Sequence, residues 1–90
     1  LLVSLSLLGR PIASGYEYSV EGHVSVIKTT ELYLNGQRYF VAPAVKFSLY
    51  KDYGRPVDRM EILAMGKIEW ARIFIKDSKV YHVTVLKMEQ

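Results

Sequence analysis

Asn35-Gly36 sits between two runs of alternating apolar residues, Leu32-Tyr33-Leu34 and Gln37-Arg38-Tyr39-Phe40-Val41. Both residues tolerate the positive φ angles of a type I′ turn, whose twist matches that of two antiparallel strands. A two-residue loop pairs Leu34 with Gln37, Tyr33 with Arg38, Leu32 with Tyr39 and Glu31 with Phe40. Side chains alternate across a strand, so Leu32, Leu34, Tyr39 and Val41 share a core-facing side. Tyr33, Arg38 and Phe40 share the other side, two aromatics and a guanidinium that a merely solvated sheet does not need. Around this hairpin the rest of the chain has to be built as sheet.

Glu17 to Lys28 reads EYSVEGHVSVIK, placing Tyr18, Val20, Gly22, Val24 and Val26 on one face at strand spacing. Gly22 interrupts that face, as glycine does where a strand bends or bulges. After Phe40-Val41, Pro43 predicts a bend before Val45, Phe47 and Leu49 resume alternation with Lys46 and Ser48. Lys51 to Val57 reads as a loop. Asp58 then stands as N-cap of a short helix, with Glu61 three residues later completing a capping box and Gly66 ending it. Capping accounts for both carboxylates without a catalytic role. A last hairpin, Lys67–Lys76 with Val80–Met88, turns through Asp77-Ser78-Lys79 and sets Ala71, Ile73 and Ile75 on the face of Tyr81, Val83 and Val85. Trp70, Arg72, Phe74 and His82 fall on its other side, packed under a loop or meeting a partner.

Ninety residues make one small domain whose stability margin is thin. With 50% hydrophobic and 23% charged residues the composition is globular. The absence of cysteine excludes disulfides and thiolate chemistry. A net charge of +3 is spread over 12 basic and 9 acidic residues without a like-charge run, a weak electrostatic footprint for nucleic acid. His23 and His82 have no metal-ligand spacing, and the chain carries no G-x-S-x-G, phosphate-cradling glycine loop or acidic calcium loop. No catalytic residue, metal or cofactor is therefore predicted, and the expected activity is binding or assembly.

Residues 1–15 form a separate apolar arm and linker ahead of the domain at 16–90. Leu1 to Leu8, LLVSLSLL, followed by Gly9-Arg10-Pro11 and Ala13-Ser14-Gly15, has the apolar core and small-residue region of a secretory signal peptide but lacks a basic n-region. It is too short to span a bilayer as a helix. Leu1, Val3, Leu5 and Leu7 alternate with Leu2, Ser4, Ser6 and Leu8, an extended strand pattern, while Gly9 and Pro11 would stop a helix after two turns. Such a strand needs a sheet edge and a groove. The open alternatives are donation to a neighbouring subunit, packing on its own domain, and a retained signal or membrane-associated segment. Donation is head-to-tail and builds filaments or oligomers of the chain with itself. At roughly 100 Å² of apolar surface per anchor, Leu1, Val3, Leu5 and Leu7 would contribute on the order of 10 kcal/mol before ordering and association costs.

The element order, three strands, a short helix between strands 3 and 4, and two more strands, resembles the five-stranded oligonucleotide/oligosaccharide-binding (OB-like) barrel. Gly22-His23-Val24-Ser25-Val26, Leu32 to Val41 and Leu63-Ala64-Met65-Gly66 resemble a family of exported bacterial β-barrel domains of unknown function, across roughly residues 20 to 85. That resemblance implies an extracytoplasmic location, periplasmic, surface or secreted, and supplies no site residues. The chain departs from it after Gly66, where Lys67-Ile68-Glu69-Trp70 runs directly into the final hairpin without a further strand. Two functions follow as expectations. In the first, an extracytoplasmic subunit polymerises by N-terminal strand donation through Leu1, Val3, Leu5 and Leu7. In the second, an OB-like module binds single-stranded nucleic acid or glycan at Tyr33, Arg38 and Phe40, with Lys46 and Arg72 as charge contacts.

Overall fold

A computed structural model describes residues 15–89. The predicted strand at Leu1–Leu8 and its anchors Leu1, Val3, Leu5 and Leu7 lie outside the described residues. The described residues are mostly β with one short helix: β1 (Tyr18–Ile27), β2 (Glu31–Leu34), β3 (Gln37–Leu49), a 3₁₀ turn (Tyr50–Asp52), β4 (Arg55–Val57), α1 (Arg59–Met65), β5 (Lys67–Lys76) and β6 (Lys79–Glu89). The strands lie in the order β2-β1-β5-β6-β3-β4, and β2 also pairs with β3, so that β1, β2, β3, β6 and β5 follow one another in a closed cycle of pairings. All pairs are antiparallel except β3 with β6.

The Asn-Gly hairpin forms as its residues dictate. Asn35 and Gly36 take φ 53° and 80°, and the register is Leu34 to Gln37 through Glu31 to Phe40. Leu32, Leu34 and Val41 are buried, with Tyr39 packed against them. Asn35 also reaches across to β1. Its Oδ1 accepts from the His23 amide at 3.0 Å and its Nδ2 donates to the Glu21 carbonyl at 3.4 Å. The amide then sits directly over Gly22, where any Cβ would collide with it. Gly22 is thus required by a close approach.

The bulge in β1 comes three residues later than Gly22. Val24 pairs with Leu34 but Val26 with Tyr33, so Ser25 is an extra, bulged residue. The slip turns Val26 outward, 40% exposed, and Ile27 toward the core, correcting the expected face. Similarly, the last turn has two residues, not three: Asp77 and Ser78 both take positive φ and Lys76 pairs with Lys79. The odd residue is absorbed by a bulge at Tyr81, since Phe74 pairs with His82 and Ile75 with Val80. Val80, not Tyr81, therefore joins Val83 and Val85 in the core.

β3 bends where Pro43 interrupts it: pairing with β6 jumps from Val41–Val80 to Lys46–His82. The expected loop at 51–57 contains β4, whose Pro56 faces Ser48. β4 ends the strand order, a place where proline's missing N–H is tolerated. Asp58 occupies the N-cap position of α1 in extended conformation, but its side chain makes no capping bond. The capping box does not form because Glu61 is held by Arg55 at 3.1 Å. Gly66, at φ 131°, ends the helix. From α1, Ile62 is buried in the core cluster with Ile68, Ile73, Ile75 and Val80. No helix among the described residues is long and apolar enough to cross a membrane.

Candidate functional sites

The hairpin register puts Tyr33 opposite Arg38 and Glu31 opposite Phe40. The Arg38 guanidinium lies 5.0 Å from the Phe40 ring centroid, a cation–π distance, and 4.0 Å from the Glu31 carboxylate. Phe40 is 53% exposed, and Val26 joins the same outward surface through its pairing with Tyr33. The three predicted face residues are therefore assembled. Lys46 and Arg72 are not part of this face: Lys46 lies past the bend of β3 opposite His82, and Arg72 on β5 is ion-paired with Glu21 at 2.8 Å.

A second feature lies where β1 and β5 separate. Their ladder runs from Tyr18–Ile75 to His23–Trp70 and stops, while β1 continues beside β2 and β5 continues back to Lys67 beside β6. The cleft has a volume of about 240 Å³ and is lined by Val24–Ile27, Ile62 and Gly66–Ile68. Its walls are overwhelmingly aliphatic.

A polar contact spans the paired strands β3 and β6. The Ser48 hydroxyl lies 2.9 Å from His82 Nε2 and 3.4 Å from Thr84 Oγ1. The Phe74 and Tyr16 rings stand 5.4 and 6.5 Å from the His82 ring. Burial, with the Lys46 charge adding to it, holds the His82 pKa below its ordinary value and keeps the ring neutral. A hydroxyl bonded to an imidazole is the geometry of a nucleophile and its base. Ser48, however, is only 6% exposed and lies in mid-strand between β4 and β6, so the pair satisfies a buried hydroxyl instead of presenting it to a substrate.

The sequence reading missed a fourth feature. Ile68 pairs with Met88, Trp70 with Lys87 and Ala71 with Val85, leaving Glu69 extra on β5 and Leu86 extra on β6. Two consecutive residues on each strand then line one recess of about 680 Å³ with Glu21, Arg72 and Tyr50. The broken alternation in Ile68-Glu69-Trp70-Ala71 and Val85-Leu86-Lys87-Met88 was its signal. No protein-family model, no curated protein and no solved structure matches this chain.

Proposed function

We propose that the chain is an extracytoplasmic assembly subunit with an OB-like barrel, which polymerises when the Leu1–Leu8 strand of one copy enters the β1/β5 cleft of the next. The cyclic strand order with a parallel β3–β6 pair supports the barrel reading. The cleft carries the assembly reading, because along Val24–Ile27 the β5-facing edge of β1 has no partner in the described ladders. An added strand would supply backbone partners there and lay its alternate side chains on an aliphatic floor. Cavities of about 150 Å³ take one benzene, so 240 Å³ suits one to two of the anchors Leu1, Val3, Leu5 and Leu7. The others would lie along its rim.

Reach favours a neighbouring copy as donor. Glu17 is tied to Ile75, at the end of β5 away from the cleft. From Ile75 back to Ile68 is about 23 Å at the ~3.3 Å rise of a strand. The eight residues Gly9–Tyr16 between Leu8 and Glu17 span at most about 29 Å. An own-chain strand would need that linker nearly extended, which a strand donated to a neighbouring copy does not.

Light scattering and negative-stain microscopy on the full chain, a chain starting at Tyr16, and a full-length Val26→Lys variant test the proposal. Val26 lines the cleft but is 40% exposed, so the substitution blocks the cleft with little effect on the core. Regular assemblies from the unsubstituted full chain alone are expected. Monomers throughout, or assembly insensitive to truncation, would defeat the reading. The outward face of half-buried Tyr33 with exposed Arg38 and Phe40 supports a second one: stacking single-stranded nucleic acid or a glycan, detectable as binding by a monomer that weakens with salt if the ligand is nucleic acid.

A further inference from the structure

The offset pairings of β5 and β6 cancel. Ile68–Met88 and Ala71–Val85 are in phase with each other although the pairing between them is shifted. Paired bulges that leave the overall register unchanged do their work locally, and bulges commonly re-aim side chains beside binding sites. Here they turn Glu69 and Trp70, and Leu86 and Lys87, toward the same side.

Trp70 is not a loose surface aromatic. Its Nε1–H donates to Glu21 Oε2 at 3.0 Å, and Arg72 donates to Oε1 of the same carboxylate at 2.8 Å. The indole orientation is therefore fixed through β1 while the residue stays 39% exposed. Tyr50, 66% exposed, lines the same recess from the 3₁₀ turn. A volume of about 680 Å³ falls within the range of small-ligand sites, which combine apolar or aromatic walls with a few placed polar groups.

The charges identify the class of ligand. Glu21 is paired with Arg72, and Glu69 with Lys87 at 3.5 Å, two acids against two bases. A phosphate backbone needs a surplus of cations, which this lining lacks. Each carboxylate oxygen of Glu21 receives one of these bonds and retains a further lone pair for a hydroxyl. An indole held by a hydrogen bond, a second exposed aromatic in the same lining and charge-balanced, hydroxyl-binding groups beside them match a sugar, whose ring C–H face is apolar and whose edge is polar. We infer that the Trp70–Tyr50 recess is a binding site for a neutral oligosaccharide, separate from the β1/β5 cleft and the Tyr33–Phe40 face.

Trp70 is the only tryptophan, so its fluorescence reports directly on the recess. The full chain is titrated with maltohexaose, cellohexaose and chitohexaose, and with the single strand dT10, at about 0.05 and 0.5 M NaCl. A saturable response to at least one oligosaccharide, insensitive to salt, with the Trp70 indole N–H resonance shifting, is expected. Tyr50→Ala should weaken binding about tenfold with an unchanged urea midpoint. Silence toward all three sugars overturns the inference. So does a salt-sensitive response to dT10 alone, or a sugar response that Tyr50→Ala leaves intact. Because Val26→Lys does not touch this recess, loss of assembly and loss of sugar binding are read separately.

Discussion

Gly22 lies within β1 and Asn35 in the β2–β3 turn, yet the two positions form one interaction. The three atoms nearest to a Cβ built on Gly22 are all in the Asn35 amide. Gly22→Ala must therefore displace that amide from the His23 N–H and the Glu21 carbonyl. At roughly 0.5–1.5 kcal/mol net per hydrogen bond, the two bonds put the cost at about 1–3 kcal/mol. In an Asn35→Gly background the obstruction is gone while the turn keeps a residue at ease with positive φ. Gly22 itself is not among the positive-φ glycines. Alanine should then be tolerated and could add up to about 1 kcal/mol by restricting the unfolded chain. Urea unfolding of the full chain, the two single variants and the double variant gives the coupling, at a constant denaturant slope. A coupling of about 2 kcal/mol is expected, which at roughly 4–8 °C per kcal/mol is also visible in Tm. An equal cost for Gly22→Ala in both backgrounds would refute the clamp and leave Gly22 to be explained by strand geometry alone.

Ile73 has no exposed surface and lies at the centre of the core cluster, so Ile73→Ala should cost about 2–5 kcal/mol, enough to unfold much of so small a chain; an unchanged urea midpoint would contradict the packing. His82 has a folded-state pKa below 6.5, so the unfolded chain binds its proton more tightly. Its contribution to stability should be present at higher pH and fade as pH drops below 6.5 toward the folded value. The Glu21 carboxyl, held below 4.5 by Arg72 and then by Trp70, adds a further loss as pH falls below about 4.5 through its folded value. NMR titration of both groups checks the directions, and His82→Gln should flatten the near-neutral part of the profile. Tyr53 combines φ 54° with complete exposure, so Tyr53→Gly should leave stability unchanged or raise it by about 1 kcal/mol, whereas a clear loss in the urea midpoint would show that its ring has a partner.

Much of this fold is legible in the residue pattern because it depends on local chemistry. Asn35-Gly36 specifies a turn, the turn specifies a register, and the register assembles Tyr33, Arg38 and Phe40 without long-range information. Pro43 likewise marks its bend. What escaped the pattern depends on bulges, where a strand changes face without a proline or glycine to announce it. Ser25, Tyr81, Glu69 and Leu86 are ordinary strand residues, and each is extra only relative to the register of its partner strand. The same blindness hid the Trp70 recess, built from four non-adjacent segments, and the Ser48–His82 contact across 34 positions. Glu61 was misassigned for a related reason: the local capping geometry was available, but Arg55 offered the carboxylate an opposite charge.

Ser25 is the bulge on which the proposed assembly depends most directly. Between Val24–Leu34 and Val26–Tyr33 it is the single residue of β1 without a counterpart on β2. If Ser25 were deleted, the pairs Val24–Leu34, Val26–Tyr33 and Ile27–Leu32 would form an unbroken ladder, and every side chain would keep its present face. The core would therefore lose nothing, and the change in stability should stay within about 1 kcal/mol. The bend would be lost, however, because a bulge increases strand twist and curvature locally. Ser25 also lines the cleft beside Val24 and Val26, so straightening β1 should reshape the gap between it and β5. A Ser25 deletion that unfolds as the parent does in urea but no longer assembles would tie assembly to cleft shape rather than to hydrophobic content. Assembly that survives the deletion would argue that the apolar arm finds another surface.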